Sequence, residues 1–285
     1  IWRHLSWGLK FVPAAIVVRA ADTTSSCVTT TLAARNARLS KLRASVVMNW
    51  SWPIWRWKNM ERVPLERKVL SENDRVAAEL RARFQEHGVL CLNIISSPGS
   101  GKTSLLERTL EALPPGDRVA VLTGDIQTDN DANRLKRFHF PVKQITTGGT
   151  CHLDARMIER HLADWKLEDL DLLLIENVGN LVCPSSYDLG EAAKVVVLSV
   201  TEGEDKPLKY PSIFFKSDLL VMSKIDLLPY VPFDIGAAVE NARKVHPGME
   251  IVKVSCLTRN GLHEWMMWLG ERRRANKPLV QQTAS

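Results

Sequence analysis

The stretch Leu90-Cys91-Leu92-Asn93-Ile94-Ile95-Ser96-Ser97-Pro98-Gly99-Ser100-Gly101-Lys102-Thr103-Ser104 decides the fold. An apolar run of strand length meets a glycine-containing turn, and a segment of helical spacing starts at Lys102. Such a turn aims backbone N–H groups and an open helix end at an anion. Its lysine adds a positive charge, and its threonine hydroxyl can ligate Mg²⁺. Against the phosphate-loop consensus G-x-x-x-x-G-K-[ST], Ser96 stands in place of the first glycine, while Gly99 and Gly101 still let the backbone close on phosphate. The expected phosphate-binding set is Gly99, Ser100, Gly101, Lys102, Thr103 and Ser104. A merely solvated Gly-Ser turn would leave Lys102 without a purpose.

Around this turn the chain alternates between two periodicities. Strands are expected over 90–96, 118–125, 142–147, 170–178, 194–200, 218–223 and 250–255. Helices are expected over 73–87, 102–113, 129–138, 153–165, 234–245 and 262–275, with fraying after Arg274. Strands apolar on both faces need helices on both sides of the sheet. The expected class is therefore α/β with a mostly parallel sheet, and ligands belong at the carboxyl ends of its strands.

Two acids close such strands, Asp125 and Glu176. Glu176 opens Glu176-Asn177-Val178-Gly179, an acid-x-x-Gly turn able to sense a γ-phosphate. With Thr103, both acids are candidate Mg²⁺ ligands; a helix cap or a solvated loop end is the plainer alternative for either. No glutamine stands ready to orient water and no arginine finger is evident. The expected hydrolytic set is Lys102, Asp125 and Glu176, with slow intrinsic turnover. Ser223-Lys224-Ile225-Asp226 resembles the Asn/Thr-Lys-x-Asp guanine motif, in which the carboxylate accepts from the guanine N1–H and amine and the lysine stem covers the base. Lys224 and Asp226, with Cys256 in the Ser255-Cys256-Leu257 loop, favour GTP over ATP.

A second cluster involves softer ligands. Cys151-His152 places thiol and imidazole side by side, and Cys183 follows the Glu176 turn. Sulfur with imidazole suits Zn²⁺, Ni²⁺ or Cu better than Mg²⁺. Three donors leave a site that two chains about a two-fold axis could complete, although an adjacent Cys-His pair can also be incidental. Cys91 and Cys256, in apolar surroundings, read as core thiols.

The net charge of +6 comes from one end of the 285-residue chain. Residues 1–59 hold nine Lys/Arg against Asp22 alone, leaving 29 bases and 31 acids elsewhere. The remainder thus carries no nucleic-acid footprint. Residues 1–59 also hold six of the nine tryptophans and lack periodicity. They read as a transit peptide, a tryptophan-rich surface patch, or sequence upstream of a natural start at Met60. The last is the favoured expectation, with 1–59 a disordered or non-native extension and 60–285 the nucleotide domain. Five widely spaced cysteines suit a reducing cytoplasm, and no apolar run reaches the roughly 18–20 residues of a membrane span.

Taken together, Ser97–Thr103, Gly124-Asp125-Ile126-Gln127-Thr128-Asp129-Asn130-Asp131-Ala132, Cys151-His152-Leu153-Asp154-Ala155, Glu176–Pro184 and Thr201-Glu202-Gly203-Glu204-Asp205-Lys206-Pro207-Leu208-Lys209-Tyr210-Pro211 resemble HypB, the hydrogenase nickel-incorporation GTPase family. The resemblance runs from about residue 60 to about 274. It implies a SIMIBI-type P-loop NTPase that forms a GTP-dependent homodimer. It also implies nickel (or zinc) at Cys151, His152 and Cys183, and delivery to the nickel–iron hydrogenase large-subunit precursor with a HypA-type metallochaperone. The sequence contains no Cys-x-x-Cys-Gly-Cys motif and no histidine-rich stretch, so transfer rather than tight storage is expected. A urease-type nickel accessory GTPase, a P-loop small-molecule kinase and a non-catalytic nucleotide-gated scaffold are the competing readings.

Overall fold

The structure, a computed structural model, describes residues 63–125 and 130–277. The expectations for residues 1–59 and 126–129 lie outside the described residues. Seven strands, β1 (Leu90–Ser96), β2 (Val119–Asp125), β3 (Val142–Thr146), β4 (Leu172–Glu176), β5 (Ala193–Ser199), β6 (Leu219–Ser223) and β7 (Glu250–Lys253), form one sheet in the order β3-β2-β4-β1-β5-β6-β7. Every pairing is parallel, as the two-sided apolar strands require. The loops after β1, β2, β4 and β6 therefore open at one end of the sheet, and the register sets Glu176 level with Ile94 of β1 and Thr123 of β2.

The helices are α1 (Val63–Glu86), α2 (Lys102–Ala112), α3 (Asn130–Lys136), α4 (Ala155–Leu162), α5 (Lys206–Lys209), α6 (Pro211–Phe215), α7 (Ile235–Val245) and α8 (Leu262–Asn276). Side chains alternate across a strand, so β1 serves two faces. Leu90, Leu92 and Ile94 pack with Leu105, Leu106 and Leu110 of α2 and Trp265 and Leu269 of α8. Cys91 meets Val76, Leu80 and Phe84 of α1 and Ile158 of α4 on the other face, where α6 and α7 cover a third cluster around Val196 and Leu220.

Several expected boundaries change. The strand expected over 170–178 ends at Glu176, which frees Asn177–Gly179 to turn toward the phosphate loop. β7 ends at Lys253, so Cys256 is a loop residue, partly buried against the core rather than set within a strand. α8 continues past Arg274 to Asn276, and 206–215, to which the sequence reading assigns no element, holds two short helices with proline in their first turns. Among the described residues no helix is long and apolar enough to cross a membrane.

Candidate functional site

The turn between β1 and α2 closes one side of a cavity of about 460 Å³. Gly99 and Gly101 take φ of +73° and +98°, the left-handed region that side chains disfavour, so the turn requires glycine at the retained consensus position, Gly101, and also at Gly99, where the consensus leaves the residue open. Ser96, the departure, ends β1 in strand conformation and does chemical work there. Its hydroxyl donates to Ser97 O at 2.6 Å and accepts from Lys102 Nζ at 2.9 Å. Burial pushes the Lys102 ammonium toward its neutral form, and the nearby Glu176 carboxylate opposes that push.

Thr103 Oγ1 donates to Glu176 Oε1 at 2.7 Å. Glu176 is buried, and its Oε2 has no hydrogen-bond partner. Burial raises its pKa to about 7, against the pull of Lys102. A buried acceptor left open beside a threonine hydroxyl fits a hard divalent cation such as Mg²⁺, which takes oxygen ligands. Asp125 ends β2 in the same wall. Arg134 of α3 also lines this cavity, a cation the sequence reading did not supply.

A second cavity of about 230 Å³ shares Gly101, Ser104 and Lys224 with the first and adds Asp226, Leu227, Cys256 and Leu257. Ser223, the departure from asparagine, donates to Ser100 O at 2.6 Å. Lys224 Nζ donates to Gly99 O at 2.7 Å, so this motif is tied twice to the phosphate loop. Ser255 Oγ donates to Asp226 Oδ1 at 2.5 Å, holding the carboxylate against the 255–257 loop. Burial raises the Cys256 thiol to about 11, which keeps it a neutral wall. The pair of cavities can hold a nucleoside triphosphate with phosphates over α2 and base against Asp226.

Beside the phosphate cavity the two cysteines converge. Cys151 Sγ and Cys183 Sγ lie 2.9 Å apart, and with a ring nitrogen of His152 they place three donors within 4.8 Å of one another. The His152 ring stacks on Tyr187 at 3.8 Å and its Nδ1 is buried without a partner. Burial lowers its pKa and favours the neutral imidazole that ligates metals. The Cys183 thiol is held above its usual value by its contact with Cys151 and by burial. The donor set fits a borderline ion and not Mg²⁺. Cys91 lies apart in β1, fully buried against α1 and α4.

Hydrogen bonds tie this cluster to the turn after β4, and that turn lies against the phosphate loop. Asn180 Nδ2 donates to Cys151 O at 3.2 Å, and Asn177 Oδ1 accepts from Leu153 N and Val178 N at 3.3 and 2.9 Å. Gly179 sits so near the loop that a Cβ would come within 2.9 Å of Pro98 Cα. A shift at the phosphate loop therefore meets the 176–183 segment directly.

Residues 90–253 match the family described as CobW/HypB/UreG, nucleotide-binding domain. Over 215 residues, 75% of this chain and 70% of the relative, the sequence is 53% identical to hydrogenase maturation factor HypB of Azotobacter vinelandii. The chain belongs to the HypB family. A Helicobacter pylori HypB, described as a hydrogenase/urease maturation factor, is 43% identical over 218 residues, 75% of this chain and 89% of that one. Two HypB crystal structures share the fold. The Helicobacter pylori protein in complex with nickel has a TM-score of 0.68 at 42% identity, covering 73% of this chain and 98% of that one. The Archaeoglobus fulgidus protein has a TM-score of 0.67 at 40% identity, covering 71% and 99%.

Some supporting residues carry no role in the sequence reading, among them Glu202 of the 201–211 string and Asn93 outside the strings. Glu202 Oε1 accepts from Ser100 Oγ at 2.7 Å and from Ser199 N at 3.1 Å, bracing the phosphate loop from β5. Asn93, buried within β1, accepts from Asn177 Nδ2 at 3.1 Å and donates to Glu191 at 3.3 Å. An asparagine inside an apolar strand is the signal that could have revealed this ladder, because a buried amide needs partners.

Proposed function

We propose that this chain is a GTP-hydrolysing accessory protein that carries nickel on Cys151, His152 and Cys183 and helps pass it to the precursor of nickel–iron hydrogenase. One observation carries the reading: two thiols and an imidazole converge within 4.8 Å, and one of them, Cys183, follows the segment that presses, through Gly179, against the phosphate loop. The family and the relatives described as hydrogenase maturation factors support the destination of the metal. The Helicobacter relative's description makes a urease precursor the second acceptor to test. The chain acts as a GTP-dependent homodimer in the cytoplasm, receiving or passing nickel with a HypA-type metallochaperone. Residues 60–285 form the GTPase domain and 1–59 are dispensable.

Lys102 and the N–H groups of 99–104 bind the phosphates, while Asp125 orients the attacking water. Thr103, Asp125 and Glu176 would hold Mg²⁺, which supplies charge neutralisation on the β- and γ-phosphates. Pressure of the γ-phosphate on the loop is felt at Gly179, and the 176–183 segment moves Cys183 relative to Cys151. Two chains facing each other about a two-fold axis complete the nickel ligand set, so nucleotide state and metal release are coupled.

Sizing the full chain and a chain starting at Met60, with GDP or a non-hydrolysable GTP analogue and with or without Ni²⁺, tests this reading. Dimers are expected with the triphosphate analogue for both chains. Monomers under every condition would defeat the switch, and a dimer only in the longer chain would restore a role to 1–59.

The guanine assignment has its own check. In Asp226→Asn the amide oxygen can still accept from Ser255, but the charged acceptor for the base is gone. GTP affinity is expected to fall roughly a hundredfold, the loss of about 2–3 kcal/mol of charge-assisted bonding. Fluorescent-nucleotide titration measures it, and unchanged affinity would remove Asp226 from the base site.

A further inference from the structure

We propose that Arg134 is a catalytic residue supplied in cis, leaving Glu107 to place its guanidinium on the terminal phosphates of bound GTP. The inference rests on the nucleotide reading above. Arg134 projects from α3 into the wall of the cavity that Lys102, Thr103, Glu176 and Gly179 also line. There it is parked on Glu107 of α2, with Nη2 to Oε2 at 2.7 Å and Nε to Oε1 at 3.1 Å. Nη2 also reaches Ser104 Oγ at 3.3 Å, and Nη1 lies 3.6 Å from Asp131.

The parking arrangement makes release cheap. Glu107 is only 12% exposed, so stranding its charge would be costly, yet it has a second cation, Arg137, at 2.9 Å. When Arg134 leaves, Arg137 keeps the carboxylate paired. The Arg134 side chain is 44% exposed, so water can hydrate the guanidinium as its bidentate contact with Glu107 opens. A polyphosphate offers the guanidinium fork a stronger, planar, doubly accepting partner. In the reaction, water attacks the γ-phosphorus, the bond to the β–γ bridging oxygen breaks with its electron pair left on GDP, and the water proton ends on inorganic phosphate. Negative charge grows on that bridging oxygen, where the Arg134 N–H groups become better bonded as the bond lengthens.

The experiment compares Arg134→Ala, Arg134→Lys and Arg137→Ala in the full chain. It measures single-turnover hydrolysis of GTP with Mg²⁺ and the binding of fluorescent GTP-analogue and GDP. Arg134→Ala is expected to slow the single-turnover rate by about tenfold to a thousandfold, with GDP binding within about threefold of the wild type. Arg134→Lys, which keeps the charge without the fork, should recover part of the rate. Arg137→Ala, which removes the cation that keeps Glu107 paired once Arg134 leaves, should slow it less than Arg134→Ala does. Equal rates in Arg134→Ala and the wild type would overturn the proposal, as would an equal loss in Arg137→Ala, which would trace the effect to the Glu107 cluster. A wild-type chain that binds no GTP would take the nucleotide reading down with it. One that hydrolyses GTP regardless of Arg134 would remove this inference alone. Thermal melting of each variant separates a lost rate from a lost fold, and Arg134→Gln stands in should the alanine variant not fold.

Discussion

Lys102→Ala is expected to lower GTP affinity by about a hundredfold or more and to abolish measurable turnover, with little loss of thermal stability in nucleotide-free protein. The two halves of this expectation have one cause. Without nucleotide the ammonium is buried with Ser96 Oγ as its hydrogen-bonded partner, and burial already pushes it toward neutrality. Removing it relieves a desolvated charge. Glu176, which loses the nearest opposing cation, can take up a proton because burial has raised its pKa to about 7. The fold thus has a way to avoid an uncompensated buried charge, which is the usual reason that breaking such a pair is costly. With the triphosphate in place no substitute exists. Lys224 is spent on Gly99 O, and Arg134 in the same cavity already has its own part on the terminal phosphates in the reading above. The measurement is the rise in melting temperature on adding GTP, large for the wild type and absent in the variant. A variant that melts many degrees lower without nucleotide would instead make Lys102 structural, and one that keeps its GTP-induced shift would displace it from the phosphate site.

How much of this was legible depended on the range of the interactions. The phosphate loop is written in consecutive residues, because a strand, a left-handed glycine turn and a helix start are all local. The alternation of seven two-sided apolar segments with helices likewise implied a parallel sheet before any pairing was known. α1 was read ten residues short because residues before Asn73 gave no periodic apolar stripe, and Val69 is exposed. Ser96 and Ser223 looked like losses against their motifs. Each proves to be a tether, one to Lys102 and the other to Ser100 across 123 residues of chain. No spacing rule reveals a hydrogen bond of that reach. The same holds for Arg134, which sequence alone could not place beside a cavity made by β1 and β4, and for Glu202, whose partner is Ser100. Cys256 carried two expectations, a core thiol and a place in the base-closing loop, and it meets both in part. A strand ended two residues sooner than its apolar pattern suggested, which moved the thiol from the core toward the base pocket.

Cys183→Ala should reduce bound nickel to background after buffer exchange, a loss of more than about a hundredfold in affinity, since even residues that only support a ligand cost ten- to a hundredfold. Cys151→Ala should do the same. The argument is the economy of the donor set. Among the described residues only Cys151, His152 and Cys183 gather three soft or imidazole donors, so no neighbour can replace a deleted thiol. Two donors, even doubled across a dimer, would have to come from sulfur and imidazole without the close Sγ–Sγ pair that sets the 2.9 Å edge of the site. Cys91→Ala is the control. Its thiol is fully buried on the α1 face, where burial holds it protonated, and its loss should leave nickel stoichiometry untouched. Both site variants should still bind GTP, because neither cysteine lines the phosphate or base cavity. They should dimerise with a GTP analogue but no longer respond to Ni²⁺. Metal analysis of the dialysed proteins decides the matter: full nickel in Cys151→Ala would strike that cysteine from the ligand set. Equal losses in Cys91→Ala would mean that the fold, and not the donor cluster, was being measured.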